Sequence, residues 1–127
     1  VWDDTAVGMG PGDLFLVSDG RGDIGMFRYI YEQAKAAGAR LWMLTGLPEG
    51  ASARQYADRV LFVHATVYLG EDPGDSPPQT DVIPTTQLMG NQYEQHLYLL
   101  LDIVIMLLQN GMDVSAREME ARHRNIE

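Results

Sequence analysis

The stretch Gly12-Asp-Leu-Phe-Leu-Val-Ser18-Asp-Gly-Arg-Gly-Asp-Ile-Gly25 decides the fold. An apolar run of strand length, Leu14 to Val17, enters a glycine-rich turn, and the turn opens an amphipathic helix predicted from Ile24 to Ala37. Phe27, Ile30, Tyr31 and Ala34 fall on one face of that helix. Asp23 is placed to cap its start and Gly38 to stop it. Gly20, Gly22 and Gly25 permit a tight turn and close approach of the backbone to a ligand. The helix N-terminus behind them supplies unpaired N–H groups and a partial positive charge. This is the geometry of an anion site, with phosphate the expected guest.

The spacing Gly20-x-Gly22-x-x-Gly25 also satisfies the dinucleotide fingerprint, which calls for an acidic residue closing the next strand to hold a ribose hydroxyl. The next apolar run, Leu41-Trp-Met-Leu-Thr45, closes on threonine and Gly46 instead. A sugar-phosphate reading is therefore preferred to the dinucleotide one, and a purely structural tight turn is the other reading left open.

Outward from this loop, Leu14 to Val17, Leu41 to Leu44 and Val60 to Val63 are continuous apolar runs, the pattern of parallel strands covered on both faces. A second helix is predicted from Ser52 through Ala57. Strand, helix, strand, helix, strand predicts an α/β fold, a doubly wound three-layer sandwich with a mostly parallel sheet. Ligands of such sheets sit at the carboxyl ends of the strands, where the Ser18 loop lies. Four of the six prolines fall between Gly70 and Thr86, so residues 70–90 read as an irregular connection and a candidate lid over that edge.

A long helix is predicted from about Asn91 to Asn110, apolar nearly all round and stopped by Gly111, which implies burial against more than one neighbour. A last helix follows, with Ser115 and Glu118 forming a capping box and Val114 stapling to Met119. Residues 1–127 read as a single domain, with the helices of 91–127 at a subunit interface.

Composition narrows the partners. Nine Lys plus Arg against eighteen Asp plus Glu give a formal charge of -9, which excludes non-specific binding to nucleic acid or to an anionic membrane surface. The absence of cysteine excludes a disulfide scaffold, a thiolate nucleophile and a cysteine zinc site. No secretory leader is read at Val1. The run Leu97 to Leu108 is too short, and too polar at Asp102, to span a bilayer.

Three segments resemble the sugar isomerase (SIS) domain, and within it the 6-phospho-3-hexuloisomerases. Gly12-Asp-Leu-Phe-Leu-Val-Ser18 followed by Gly20-Arg-Gly-Asp23 is similar to the family's Gly-Asp-(apolar run)-Ser-Gly-Ser-Gly-Glu-Thr loop. Gly90-Asn-Gln-Tyr-Glu94, heading a long apolar helix, is similar to its Gly-Thr-x-Phe-Glu. Arg122-His123-Arg-Asn125-Ile-Glu127 is similar to its terminal Arg-His-x-Asn-Leu-Glu. The resemblance implies a cytoplasmic, homodimeric or homotetrameric enzyme that interconverts a 3-ketohexose 6-phosphate and fructose 6-phosphate with neither metal nor cofactor. Its alternatives are a phosphosugar-binding SIS module without turnover and a structural oligomerisation domain. Two hydroxyls of the family loop are replaced by Arg21 and Ile24, so phosphate is expected to bind through Arg21 and backbone N–H groups. The family's initial helix, first strand and Gly-x-Gly-Arg-Ser loop have no counterpart expected in this chain.

The expected phosphosugar-binding residues are thus Ser18, Gly20, Arg21, Gly22 and Asp23, and the expected catalytic ones Glu94 and His123. Glu94, in the first turn of an apolar helix, would be partly buried and raised toward a useful base; its plain reading is a carboxylate stabilising the helix N-terminus. His123 is the ring-opening acid and base that the resemblance places in a neighbouring subunit's site, with Arg122 and Arg124 favouring its neutral form. His64 and His96 read as packed or hydrogen-bonded, Asp102 as a hydrogen-bonded interface residue, and no metal is expected.

Overall fold

The computed structural model describes residues 8–68, 78–79 and 82–122. Three parallel strands, β1 (Leu14–Ser18), β2 (Arg40–Thr45) and β3 (Arg59–Phe62), lie in sequence order with β2 in the middle. Phe15 stands opposite Leu41 and Val17 opposite Met43; Leu44 stands opposite Leu61. The helices are α1 (Arg28–Ala36), α2 (Ala51–Tyr56), α3 (Asn91–Gly111) and α4 (Ala116–Arg122). The expected α/β class with a parallel sheet and flanking helices is the one found. The chain forms two compact units, residues 1–96 and 97–127, and α3 begins in the first and continues in the second.

In the first unit α1 and α2 touch each other and β2. Tyr31, Leu41, Met43 and Ala53 make the buried core, with Phe15, Val17, Phe27, Tyr56 and Ala57 packed around it. Burying each of the larger side chains contributes about 1.5–3 kcal/mol. The Tyr31 ring lies 5.7 Å from that of Tyr56 and 6.3 Å from that of Phe27, all tilted as aromatic quadrupoles prefer. Period-two alternation puts Leu14, Leu16, Trp42 and Leu61 on the opposite face, where Leu14, Leu16 and Leu61 remain 46, 47 and 41% exposed. The expectation of strands covered on both faces therefore holds for β2 and not for the outer strands. A cleft of about 350 Å³, lined by Met9, Phe15, Ile30, Gln33, Ala34 and Ala37, runs beside β1 and α1; no candidate site residue lines it.

The helix expected from Ile24 opens as a 3₁₀ turn, Gly25–Phe27, and becomes α-helical at Arg28. Asp19, not Asp23, accepts the Ile24 N–H at 3.2 Å. Its end is as read: Gly38, at φ +84°, donates to Lys35 O at 3.0 Å while Ala39 N–H reaches Ala34 O at 3.1 Å, the paired bonds of a left-handed C-terminal cap.

The stop assigned to Gly111 is corrected, because α3 runs through it and turns at Asp113, φ +54°. Asp113 N–H bonds Asn110 O at 3.2 Å and Val114 N–H bonds Gln109 O at 3.0 Å. Glycine is favoured at such a turn for want of a Cβ, but Asp is among the few residues that also enter the left-handed region. The capping box forms as expected, with Ser115 N–H on Glu118 Oε2 at 2.8 Å and Glu118 N–H on Ser115 Oγ at 3.2 Å.

Side-chain amides pin the irregular chain after β3. Gln79 Nε2 donates to the carbonyls of Gly46 and Ala65, both at 3.1 Å, and its Oε1 accepts Val67 N–H at 3.0 Å. Gln92 Oε1 accepts Thr66 N–H at 2.7 Å and its Nε2 donates to Ile83 O at 3.1 Å. In the second unit Tyr98, Leu99, Ile103, Ile105, Met106, Leu107 and Leu108 of α3 are each more than half exposed.

Candidate functional site

The loop after β1 lies at the carboxyl ends of the strands, and it is built as half of a pair. Asp19 N–H continues the sheet onto Leu44 O at 3.0 Å, and Gly22 N–H closes a turn on Asp19 O at 2.9 Å. The Gly20 carbonyl then accepts both Gly46 N–H and the Thr45 hydroxyl at 3.0 Å, and the Gly22 carbonyl accepts Ala53 N–H at 2.9 Å. Thr45 is fully buried, and its Oγ1 also accepts Leu47 N–H at 3.0 Å. So the β1 loop is laced, backbone to backbone, to the loop between β2 and α2.

That lacing explains two glycines differently from the sequence reading. Gly22 sits at φ +61°, where a Cβ would stand 2.7 Å from Leu47 O, and a Cβ on Gly50 would stand 2.5 Å from Arg21 O. Both positions need glycine so that the chain can approach itself. Gly20 lies under the Tyr93 ring, 3.3 Å from where its Cβ would be, whereas Gly25 faces open space.

Asp19 is the charged residue that sequence reasoning passed over. It is 1% exposed. Its Oδ2 accepts Tyr31 O–H at 2.9 Å and Ile24 N–H at 3.2 Å; Oδ1, also buried, has no hydrogen-bond partner among the described residues. The N–H group that a helix start would offer to a bound anion is thus occupied by the chain's own carboxylate. Burial and the Asp19 charge push the Tyr31 phenol far above its usual range.

Asp23, read as a cap and a ligand-binding acid, has its Oδ1 engaged by Arg28 at 2.8 Å and by the Ser52 hydroxyl at 3.3 Å. The hydrogen bond to Asp23 raises the Arg28 guanidinium, which places a cation beside the loop. Arg21 is half-buried.

The start of α3 is docked onto the same edge through Tyr93, 5% exposed. Its hydroxyl donates to Leu44 O at 2.8 Å and lies 3.0 Å from Ser18 Oγ. Burial raises the Tyr93 phenol above its usual range, against the lowering effect of the bond to Ser18. Glu94 follows it, with its N–H on Gly90 O at 3.0 Å, and is exposed. The partial burial expected of Glu94 is therefore not present in this chain. His96 Nδ1 stands 3.0 Å from His64 O, and the His64 ring packs on Phe62 at 4.1 Å, so both histidines take the packed, hydrogen-bonded reading. Asp102 is exposed. His123, with Asn125 and Glu127, lies outside the described residues.

The structure thus gathers Ser18, Gly20, Arg21, Gly22 and Asp23 at one strand edge and brings the first turn of α3 to Ser18. Asp19, Tyr93, Thr45 and Arg28 were missed. Asp19 and Tyr93 had a signal: Asp19 is the extra residue between Ser18 and Gly20 relative to the resembling motif, and Tyr93 stands where that motif has phenylalanine.

A parallel α/β unit with a glycine loop at its carboxyl edge is the class defined so far. The chain is similar, at 31% identity over 125 residues, to a 3-hexulose-6-phosphate isomerase from Mycobacterium gastri, the match covering 98% of this chain and 58% of that protein. The likeness to the sugar isomerase family, carried in the sequence by three segments, is therefore borne out along nearly the whole chain. A crystal structure described only as that of a hypothetical protein has the same fold, with a TM-score of 0.77 at 20% identity over 99% of this chain and 62% of that one. The chain spans about three fifths of the length of both. No family model matches it.

Proposed function

We propose that this chain bears the site of a sugar-phosphate isomerase of the SIS type, converting a 3-ketohexose 6-phosphate, or a related phosphosugar, into fructose 6-phosphate. The observation that carries the reading is the juxtaposition of the Ser18–Asp23 loop with the first turn of α3 at the carboxyl edge of a parallel sheet. The isomerase relative aligned through both segments supports it.

In this reading the loop and Arg21 hold the phosphosugar, and Glu94 moves the proton. Glu94 removes the proton from carbon 2 as the carbonyl oxygen on carbon 3 is protonated, giving an enediol. Return of the proton to carbon 3, with loss of the hydroxyl proton on carbon 2, leaves the carbonyl at carbon 2. His123 opens the furanose ring of fructose 6-phosphate, the member of the pair that cyclises. An exposed carboxylate is a weak base candidate in an isolated protomer, so Glu94 is expected to be enclosed by a second copy in a cytoplasmic homodimer or homotetramer. The apolar residues that α3 exposes support self-association.

One observation favours the alternative, a module that binds phosphosugar without turnover: Glu94, the proposed base, is exposed. Hydrogen exchange between the substrate carbon and deuterated water separates the two. Exchange without added metal, lowered at least about 100-fold in Glu94→Gln, is expected of the isomerase. In the reverse direction, His123→Ala should slow turnover of cyclic fructose 6-phosphate more than that of an open-chain analogue. Binding of fructose 6-phosphate without exchange would leave the module reading.

A further inference from the structure

We propose that Tyr93 sets the hydrogen-bond polarity of Ser18, so that Ser18 recognises a hydroxyl of the sugar and not the phosphate. The inference rests on the phosphosugar reading above and specifies which part of the ligand this residue reads.

Three groups lie in a row. Leu44 O is a carbonyl and can only accept, so the single phenolic proton of Tyr93, 2.8 Å away, is directed to it. Tyr93 Oη then has only lone pairs left for Ser18 Oγ at 3.0 Å, and Ser18 must be the donor in that contact. A serine hydroxyl carries one proton, and here it is already committed. Toward a ligand Ser18 offers lone pairs alone.

A phosphate ester at neutral pH presents acceptors, and two acceptors do not hydrogen-bond. A sugar hydroxyl presents a proton, and Ser18, exposed at the end of β1, can take it. The arrangement is held firmly. The Tyr93 ring is clamped by Gly20 and Gly46, each of which would place a Cβ 3.3 Å from it, and Gln92 and His96 on either side tie the same turn to the chain after β3. Phenylalanine fits this space equally and removes only the oxygen, so Tyr93→Phe keeps the packing while releasing the Ser18 proton.

The test is a double-mutant cycle read by calorimetry at pH 8 with two probes, methyl phosphate, whose dianion carries no O–H, and fructose 6-phosphate. In the Tyr93 protein, Ser18→Ala is expected to weaken fructose 6-phosphate by about three- to ten-fold, one hydrogen bond, and to leave methyl phosphate within about two-fold. In the Tyr93→Phe protein the freed hydroxyl can donate, so the same Ser18→Ala change should now weaken methyl phosphate by about three- to ten-fold. Equal loss of phosphate affinity on Ser18→Ala in both backgrounds would overturn the polarity assignment while leaving the phosphosugar reading in place. Absence of binding by either probe to the unaltered protein would overturn both.

Discussion

Asp19 and Tyr31 form a buried pair in which one neutral phenol and one backbone N–H face a carboxylate. Removing the phenol by Tyr31→Phe leaves that carboxylate with the Ile24 N–H alone among the described residues, at an expected cost of about 1–3 kcal/mol in urea unfolding. The alkaline limb of stability should change with it. Unfolded, Tyr31 ionises near its ordinary value of 10.0; folded, it holds its proton well above that. The raised value contributes stability that is complete below pH 10 and lost as pH rises toward the folded value. Tyr31→Phe should flatten that decline, and an unchanged alkaline limb would show that Tyr31 ionises normally in the fold. At the acid end Asp58 is held below its usual range by the Lys35 ammonium and by Leu41 N–H. Its contribution is present above the unfolded value and is lost as pH falls through the folded one, so Asp58→Asn should blunt the acid limb. These residues also mark the limit of what composition and spacing reveal. Asp19 is one of two acids in a glycine-rich turn, and nothing in its spacing says that it, and not Asp23, folds inward to a tyrosine twelve residues on.

At the scale of the element, patterning was legible wherever the signal is local. The three apolar runs became strands within two residues of their reading, and Gly38 and the Ser115–Glu118 pair act through neighbours three to five residues away. The end of α3 was misplaced because both Gly111 and Asp113 can precede a non-helical chain, and which of them takes the left-handed turn depends on where the last carbonyls find donors. That difference is testable. Gly111 is helical with open space where a Cβ would lie, so Gly111→Ala should stabilise by about 0.5–1 kcal/mol. Asp113→Gly should also stabilise, by relieving a positive φ. A melting temperature lowered by Gly111→Ala would restore Gly111 as the stop. Gly22 behaves oppositely: its positive φ and the approach of Leu47 O leave no room for a methyl group. Gly22→Ala is expected to cost more than about 2 kcal/mol, combining the left-handed penalty with displacement of the facing loop.

At the scale of the molecule, the unread part is which apolar faces are covered. Parallel order and the position of the glycine loop follow from alternating strand and helix signals. The covering of those faces does not, because Leu14, Leu16 and Leu61 read as core in sequence and stand 41–47% exposed in the chain. The same holds for α3, whose apolar residues fit the expected subunit interface. Sedimentation at micromolar concentration is expected to give a dimer or larger assembly, and Leu99→Glu combined with Ile103→Glu to shift it toward monomer with loss of any hydrogen exchange at the substrate. A stable monomer that exchanges would dismiss the shared-site view of Glu94 and His123.

The Gln79 side chain has a consequence in chemical ageing. One primary amide gives both of its protons to two carbonyls and takes a third bond from Val67, so it stands in for a missing stretch of backbone between the ends of β2 and β3. Deamidation turns that amide into a carboxylate, which has no proton to give and sets a negative charge against the Gly46 and Ala65 oxygens. The edge on which the loop of Gly20 rests would then come loose through an isosteric change that alters no helix or strand. Gln79→Glu is accordingly expected to mimic the aged protein from the outset, lowering the melting temperature and any affinity for fructose 6-phosphate.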